Sequence, residues 1–310
     1  MKKKQIIIDC DPGIDDFLAL MLAKSSKNLN IIGITTVAGN QTLDITSKNA
    51  KNIAKYINID TKIAKGANKP LIGELKVADE VHGENGIANI ILEESNQEFE
   101  KDYAWDLIYK EARTLGKELE IVALGPLTNI AIAILKYPDI VNYIKKIVIM
   151  GGSTTVGNVT PYAEFNIWID PVAADIVFKS GIPLFMVGLN VTMKSRLNEF
   201  EIKEISNLSG KFSGTISTLL NKVLDFYKSR GYDSIAVHDA LTIAYLIDET
   251  ILKFKKYYTA IETLGRLNYG RTVVDLDNSH RDKVKNVDVA IEVDFDKFKE
   301  MLKDMAKYYE

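Results

Sequence analysis

A chain of 310 residues with 46% apolar and 26% charged side chains has a globular composition, long enough for one large α/β domain or two small ones. Its net charge of −3 provides no basic field for nucleic acid or an anionic membrane, which excludes both as expected partners. The single cysteine, Cys10, excludes a disulfide framework and a Cys-based zinc site, and between Asp9 and Asp11 it reads as a small buried residue, since anions oppose a thiolate.

Lys2-Lys3-Lys4 precedes only three isoleucines before Asp9, too short for a signal-peptide core. No later apolar run approaches a membrane span, so a cytoplasmic location is expected. Ile6-Ile7-Ile8 reads as a buried parallel strand, and Pro12-Gly13 stops it. Phe17, Leu18, Leu20, Met21 and Leu22 then supply the apolar face of a helix. Asp9, Asp11, Asp15 and Asp16 therefore crowd one strand end and the first turn of the next helix. Helix capping accounts for Asp15 and Asp16 at most, leaving Asp9 and Asp11 unexplained. Burying so much like charge is costly without a cation. Oxygen-only donors suit Ca²⁺ or Mg²⁺ better than zinc.

The βα rhythm continues. Ile31 to Val37 is a strand broken by Ala38-Gly39-Asn40, Thr42 opens a helix to about Tyr56, and a short strand lies near Lys62-Ile63-Ala64. Residues 66 to 100 hold Gly66, Pro70, Gly73, Gly83 and Gly86 and read as loops around a site. Tyr103 to Leu115 is a helix, Glu120 to Leu124 a strand, Leu127 to Leu135 a helix and Lys146 to Met150 a strand. Pro171 to Phe178 opens a helix with proline in its first turn, and Pro183 to Gly188 is the next strand. Glu199 to Arg230 and Asp239 to Ile247 are helical; Tyr257 to Glu262, Thr272 to Leu276 and Val287 to Val293 look like strands. Phe295 to Tyr308 is an amphipathic helix. The expected fold is α/β, an open, mostly parallel twisted sheet with helices on both faces and a helical segment in the C-terminal third. With no repeat, low-complexity tract or linker, residues 1–310 are expected to form one domain.

Ligands of open α/β sheets bind beyond the carboxyl ends of the strands. Asp9 to Asp16, Asn40, the carbonyls around Leu124-Gly125, and Met150 onward share that edge. From Gly152 to Asp170, Asn158, Glu164 and Asn166 offer groups suited to a hydroxyl-rich ligand, or are polar residues of a glycine-rich loop. Two apart in an extended segment, Glu164 and Asn166 would share a face. His82 is equally a surface histidine or a substrate contact. His238-Asp239 opens a helix, which Asp239 taken alone could equally well merely cap; beside the aspartate cluster the pair reads as a proton donor next to a further metal ligand.

Asp9-Cys10-Asp11-Pro12-Gly13-Ile14-Asp15-Asp16 resembles the N-terminal signature of the nucleoside hydrolases, which cleave the N-glycosidic bond of ribonucleosides. Val37-Ala38-Gly39-Asn40, His82-Gly83, Leu124 to Asn129, Met150-Gly151-Gly152, Gly157 to Pro161, Ala163 to Asn166 and His238-Asp239 are similar to its later blocks, in order. No single block is specific; the ordered set, spanning nearly the whole chain, is. The resemblance implies a tightly held Ca²⁺, no organic cofactor, and a homodimer or homotetramer. It implies that Asp11, Asp16, Asp239 and the carbonyl of Leu124 ligate calcium, with Asp11 also the base that activates a calcium-bound water. Where Leu124 stands the family often has threonine, a change that a backbone ligand tolerates. Asp15 and Asn166 match the groups on the 2′- and 3′-hydroxyls, and Asn158 and Glu164 those on the 5′-hydroxyl. Met150 and Asn40 match the lining of the sugar pocket, and His238 the residue that protonates the leaving base in the inosine- and uridine-preferring branch.

The segment between Phe226 and His238 departs from the pattern, and Tyr227, Arg230, Tyr232 and Asp233 are its candidates for base contact. Two other classes compete with this reading. Asp9-Cys10-Asp11 is similar to the loop of Mg²⁺-dependent haloacid-dehalogenase-type phosphatases, but Gly13 stands where that loop carries threonine or valine. A non-catalytic calcium-dependent nucleoside binder would carry the same ligands without releasing sugar.

Overall fold

A computed structural model describes residues 2–208, 210–280 and 282–310. Strand β1 (Lys4–Cys10) is buried from Ile6 to Cys10, so its run of β-branched residues is covered on both faces. It is followed by β2 (Leu29–Thr36), β3 (Lys62–Lys65), β4 (Leu119–Ala123), β5 (Ile144–Met150), β6 (Leu184–Val187), β7 (Arg196–Asn198), β8 (Ser234–Ala236), β9 (Leu252–Tyr257), β10 (Thr259–Ile261), β11 (Thr272–Val274) and β12 (Val287–Val293). Eight of them form one sheet in the order β3-β2-β1-β4-β5-β6-β12-β9, parallel throughout except for β9 against β12. Two short antiparallel ribbons, β7–β8 and β10–β11, stand apart from it.

From β1 the chain winds outward through β2 to β3, and then returns to β4 and winds the other way. The loops after β1 and β4 therefore diverge, which opens a crevice at the carboxyl ends of these two strands. Helices cover both faces. Phe17, Leu20 and Leu241 belong to the core on one side, Ile130, Ala174 and Val177 to that on the other. The helices Ile14–Ser25 and His238–Ile247 pack together, bringing the first turn of each to the crevice. Helices Glu199–Asn207 and Ser213–Ser229 form the expected helical segment of the C-terminal third. Among the described residues, no helix is long and apolar enough to cross a membrane.

Two local expectations are corrected. The strand expected at Tyr257 to Glu262 is two elements, with β9 beginning at Leu252 and β10 in a separate ribbon. β9 is a sheet edge, and its exposed Lys253, Lys255 and Lys256 guard that edge while disguising the strand pattern. The segment holding Glu164 and Asn166 is a short helix, Phe165–Ile169, instead of an extended stretch. Glu164 is its N-cap and accepts from the backbone N–H groups of Asn166 and Ile167, which turns the chain at that point.

Candidate active site

The carboxyl end of β1 delivers Asp9 and Asp11, but to different tasks. Asp9 Oδ1 accepts from Thr35 Oγ1 at 2.5 Å and from Asn129 Nδ2 at 2.7 Å. Asn129 also binds the Thr36 carbonyl and the Ala67 N–H, so Asp9 anchors the strand ends behind the site. Burial raises its pKa to about 7.

Asp11 lies one residue past the end of β1, where the chain has left the regular strand, and points into the crevice. Its Oδ2 accepts the Asn40 N–H at 2.6 Å, while Oδ1 is buried and has no partner among the described residues. A Cβ on Gly125 would lie 2.6 Å from Oδ1, and one on Gly39 would overlap Oδ2. Glycine at both positions is what lets the loops after β4 and β2 close on this carboxylate.

Asp16, in the first turn of its helix, accepts from the Asp11 N–H at 3.3 Å, the Gly13 N–H at 2.9 Å and Asn40 Nδ2 at 3.1 Å. Asp239 comes from the first turn of the facing helix and is 5% exposed. Among the described residues no hydrogen bond relieves it. Burial, then the charges of Asp16, Asp15, Asp11 and Glu164, push its pKa well above the carboxylate range. Burial and Asp16 do the same to Asp11. Asp15 rises to about 7 through burial first and Asp16 second, although its Oδ2 accepts the His238 N–H at 3.3 Å.

Removing this repulsion takes a cation. Among the described residues no three acidic, histidine or cysteine side chains stand gathered as a closed metal cage. The donors are instead spread over two helix starts and two strand ends. The orphaned Oδ1 of Asp11, the unbonded Asp239 and the cradle formed by Gly39 and Gly125 fit a hard, oxygen-seeking ion. The Leu124 carbonyl, just past the end of β4 and next to Gly125, is a neutral oxygen of the loop that closes on Asp11.

Asn166 is held over that carbonyl. Its Nδ2 donates to Leu124 O at 2.7 Å and Met150 O at 3.0 Å, and its Oδ1 has no partner among the described residues. Glu164 is committed more fully than its sequence suggests, because Gly152 N–H also donates to its Oε2 at 2.9 Å. Burial nevertheless lifts it to about 7. Asn158 is exposed, with Oδ1 taken by the Phe165 N–H and its amide NH₂ left to donate.

His82 is no surface residue. It is 8% exposed, and its Nδ1 accepts the Ile14 N–H at 3.1 Å, tying the loop region to the start of the first helix. Burial, then the nearby His238, lowers its pKa to about 4. His238 is fixed from both sides, with Nδ1 2.8 Å from Thr192 Oγ1 and Nε2 2.9 Å from the Tyr227 hydroxyl. Burial lowers it too, to about 4. Sequence reasoning passed over Thr192, although its place just past β6 on the ligand-binding edge was a usable signal.

Residues 6–300 match the family model of the inosine-uridine preferring nucleoside hydrolases. The chain belongs to that family. It is 38% identical to the pyrimidine-specific ribonucleoside hydrolase RihA of Salmonella typhimurium over 307 residues, covering 98% of each chain. Its structure resembles a plant nucleoside hydrolase (TM-score 0.93, 30% identity, 98% and 99% of the two chains). It also resembles a purine-preferring ribonucleoside hydrolase from Gardnerella vaginalis (TM-score 0.91, 33% identity, the same coverage). With the nucleoside hydrolase family assigned, the phosphatase reading falls.

Proposed function

We propose that this nucleoside hydrolase cleaves the N-glycosidic bond of ribonucleosides to ribose and free base at a Ca²⁺ site formed by Asp11, Asp16, Asp239 and the Leu124 carbonyl. The observation that carries the reading is the convergence of three buried carboxylates, one of them with an orphaned oxygen, on the crevice that also receives Asn166 and His238. When bound, the cation neutralises the carboxylates, holds vicinal oxygens and lowers the pKa of the water it contacts.

The chain's own groups do the rest. Asp11, with Oδ2 fixed by Asn40, keeps Oδ1 for the proton of the attacking water. Asp15 and the free Oδ1 of Asn166 accept from the ribose 2′- and 3′-hydroxyls. The Asn158 amide and Glu164 face the 5′-hydroxyl, with Asn40 and Met150 lining the sugar pocket and His82 closing its loop side. Breaking the C1′–N bond leaves an oxocarbenium-like sugar, which the surrounding carboxylates stabilise. The departing base takes the electron pair and is a poor anion. His238, aligned by Thr192 and joined to Tyr227, is positioned to bring it a proton. A homodimer or homotetramer located in the cytoplasm completes the proposal. The experiment is incubation with uridine and with inosine in phosphate-free buffer. Free base with an equal amount of ribose is expected, and intact nucleosides would refute the reading.

A further inference from the structure

We infer that Arg196 determines which base leaves, by donating to the exocyclic carbonyl that uracil and hypoxanthine carry where cytosine and adenine carry an amino group. The inference rests on the nucleoside hydrolase reading and concerns the base side of the site. Arg196 opens β7 and pairs with Ala236 of β8, two residues before His238. Its guanidinium carbon lies 5.1 Å from the centre of the Tyr232 ring. That ring is 5.7 Å from the ring of Tyr227, whose hydroxyl meets His238 Nε2 at 2.9 Å. A continuous line of contacts thus runs outward from the proposed proton donor to a half-buried cation, and the Arg196 charge reaches the Tyr227 phenol.

Lys228 is paired with Glu199 and Lys299 with Glu201, and Arg230 stacks on Phe226, one residue from Tyr227, whereas Arg196 is the cation stacked on Tyr232. Arg196 has no carboxylate partner among the described residues; its ring platform fixes the plane and leaves the N–H edge for something else.

A guanidinium has only donors. The C4 carbonyl of uracil and the C6 carbonyl of hypoxanthine accept from it, whereas the amino groups of cytosine and adenine present a donor to a donor. A buried donor left unpaired in this way discriminates more strongly than a misfit of shape. The preference sharpens during reaction. As the C1′–N bond breaks, its electron pair passes to the base and spreads onto the exocyclic oxygen, so a cation there acts most on the transition state. The distinction cuts across ring size, as the family's inosine-uridine description does, and the inference assigns it to one residue, Arg196.

The test compares kcat/KM for uridine, cytidine, inosine and adenosine in the parent enzyme and in Arg196→Met. The parent should prefer uridine to cytidine and inosine to adenosine. The substitution should lower both ratios by about 10- to 100-fold, chiefly through kcat on the keto substrates. Because each ratio comes from one preparation, a partial folding defect cancels. Tyr232→Leu, which removes the platform and keeps the cation, should lower the same ratios part of the way. A parent without keto preference, or ratios unchanged in Arg196→Met, would overturn the inference. A parent that hydrolyses none of the four would overturn the nucleoside hydrolase reading itself, an outcome distinct from intact turnover with the wrong selectivity.

Discussion

Asn40 donates its backbone N–H to Asp11 Oδ2 at 2.6 Å, and the same residue's side chain donates to Asp16 Oδ2 at 3.1 Å. One asparagine at the end of β2 therefore fixes the orientation of both carboxylates that β1 and its helix bring to the crevice. The arrangement leaves Asp11 Oδ1 as the free oxygen of the pair.

If that oxygen takes the proton of the attacking water, Asp11→Asn keeps the shape and removes both base and charge. Turnover of uridine or inosine should fall by at least about a hundredfold, as for loss of a general base. Near-normal kcat in the variant would reject the role.

Calcium should also hold the fold. Asp239 is repelled by Asp16, Asp15, Asp11 and Glu164, and a bound cation relieves all of these at once. At a hundred times its Kd, calcium would add about 2.7 kcal/mol of stability, or about 5 °C in Tm. Melting in chelator against melting in excess calcium measures this directly. Identical curves would argue against a cation among these carboxylates.

The sugar is gripped through its diol. With Asn166 Nδ2 committed to Leu124 O and Met150 O, only its Oδ1 remains for a ribose hydroxyl. Loss of the 2′-hydroxyl leaves buried polar groups unpaired, so kcat/KM for 2′-deoxyuridine should be at least about a hundredfold below that for uridine. Comparable values would remove Asp15 and Asn166 from the diol.

His238 is needed most when the leaving group is an intact base. Its replacement by alanine should depress turnover of inosine and uridine severely while having little effect on p-nitrophenyl riboside, whose leaving group departs readily as an anion. Equal losses on the two classes would assign His238 a structural part instead.

Much of this was legible in the sequence because parallel strands end where ligands bind. The stop at Pro12-Gly13 placed four carboxylates on one edge, and the helix opening at His238 added a fifth. Side-chain commitments were not legible. Asp9 looks equivalent to Asp11 in the sequence, two residues on and so on the same face of a regular strand, yet Asp9 lies inside β1 and is taken by Thr35 and Asn129 while Asp11 lies past its end and meets the Asn40 N–H. Glu164 looked extended until its own capping bonds made the following residues a helix. Thr192, Tyr227 and His238 come from three separate elements, and only tertiary packing joins them.

The account stands or falls most directly on metal dependence of ribose release. Reducing sugar liberated from uridine and inosine should be measured with the purified protein, after chelation, and after calcium is restored, alongside elemental analysis of each sample. Activity should accompany about one calcium per chain, vanish with its removal and return with its restoration. Full turnover by protein shown to contain no metal would contradict the central claim.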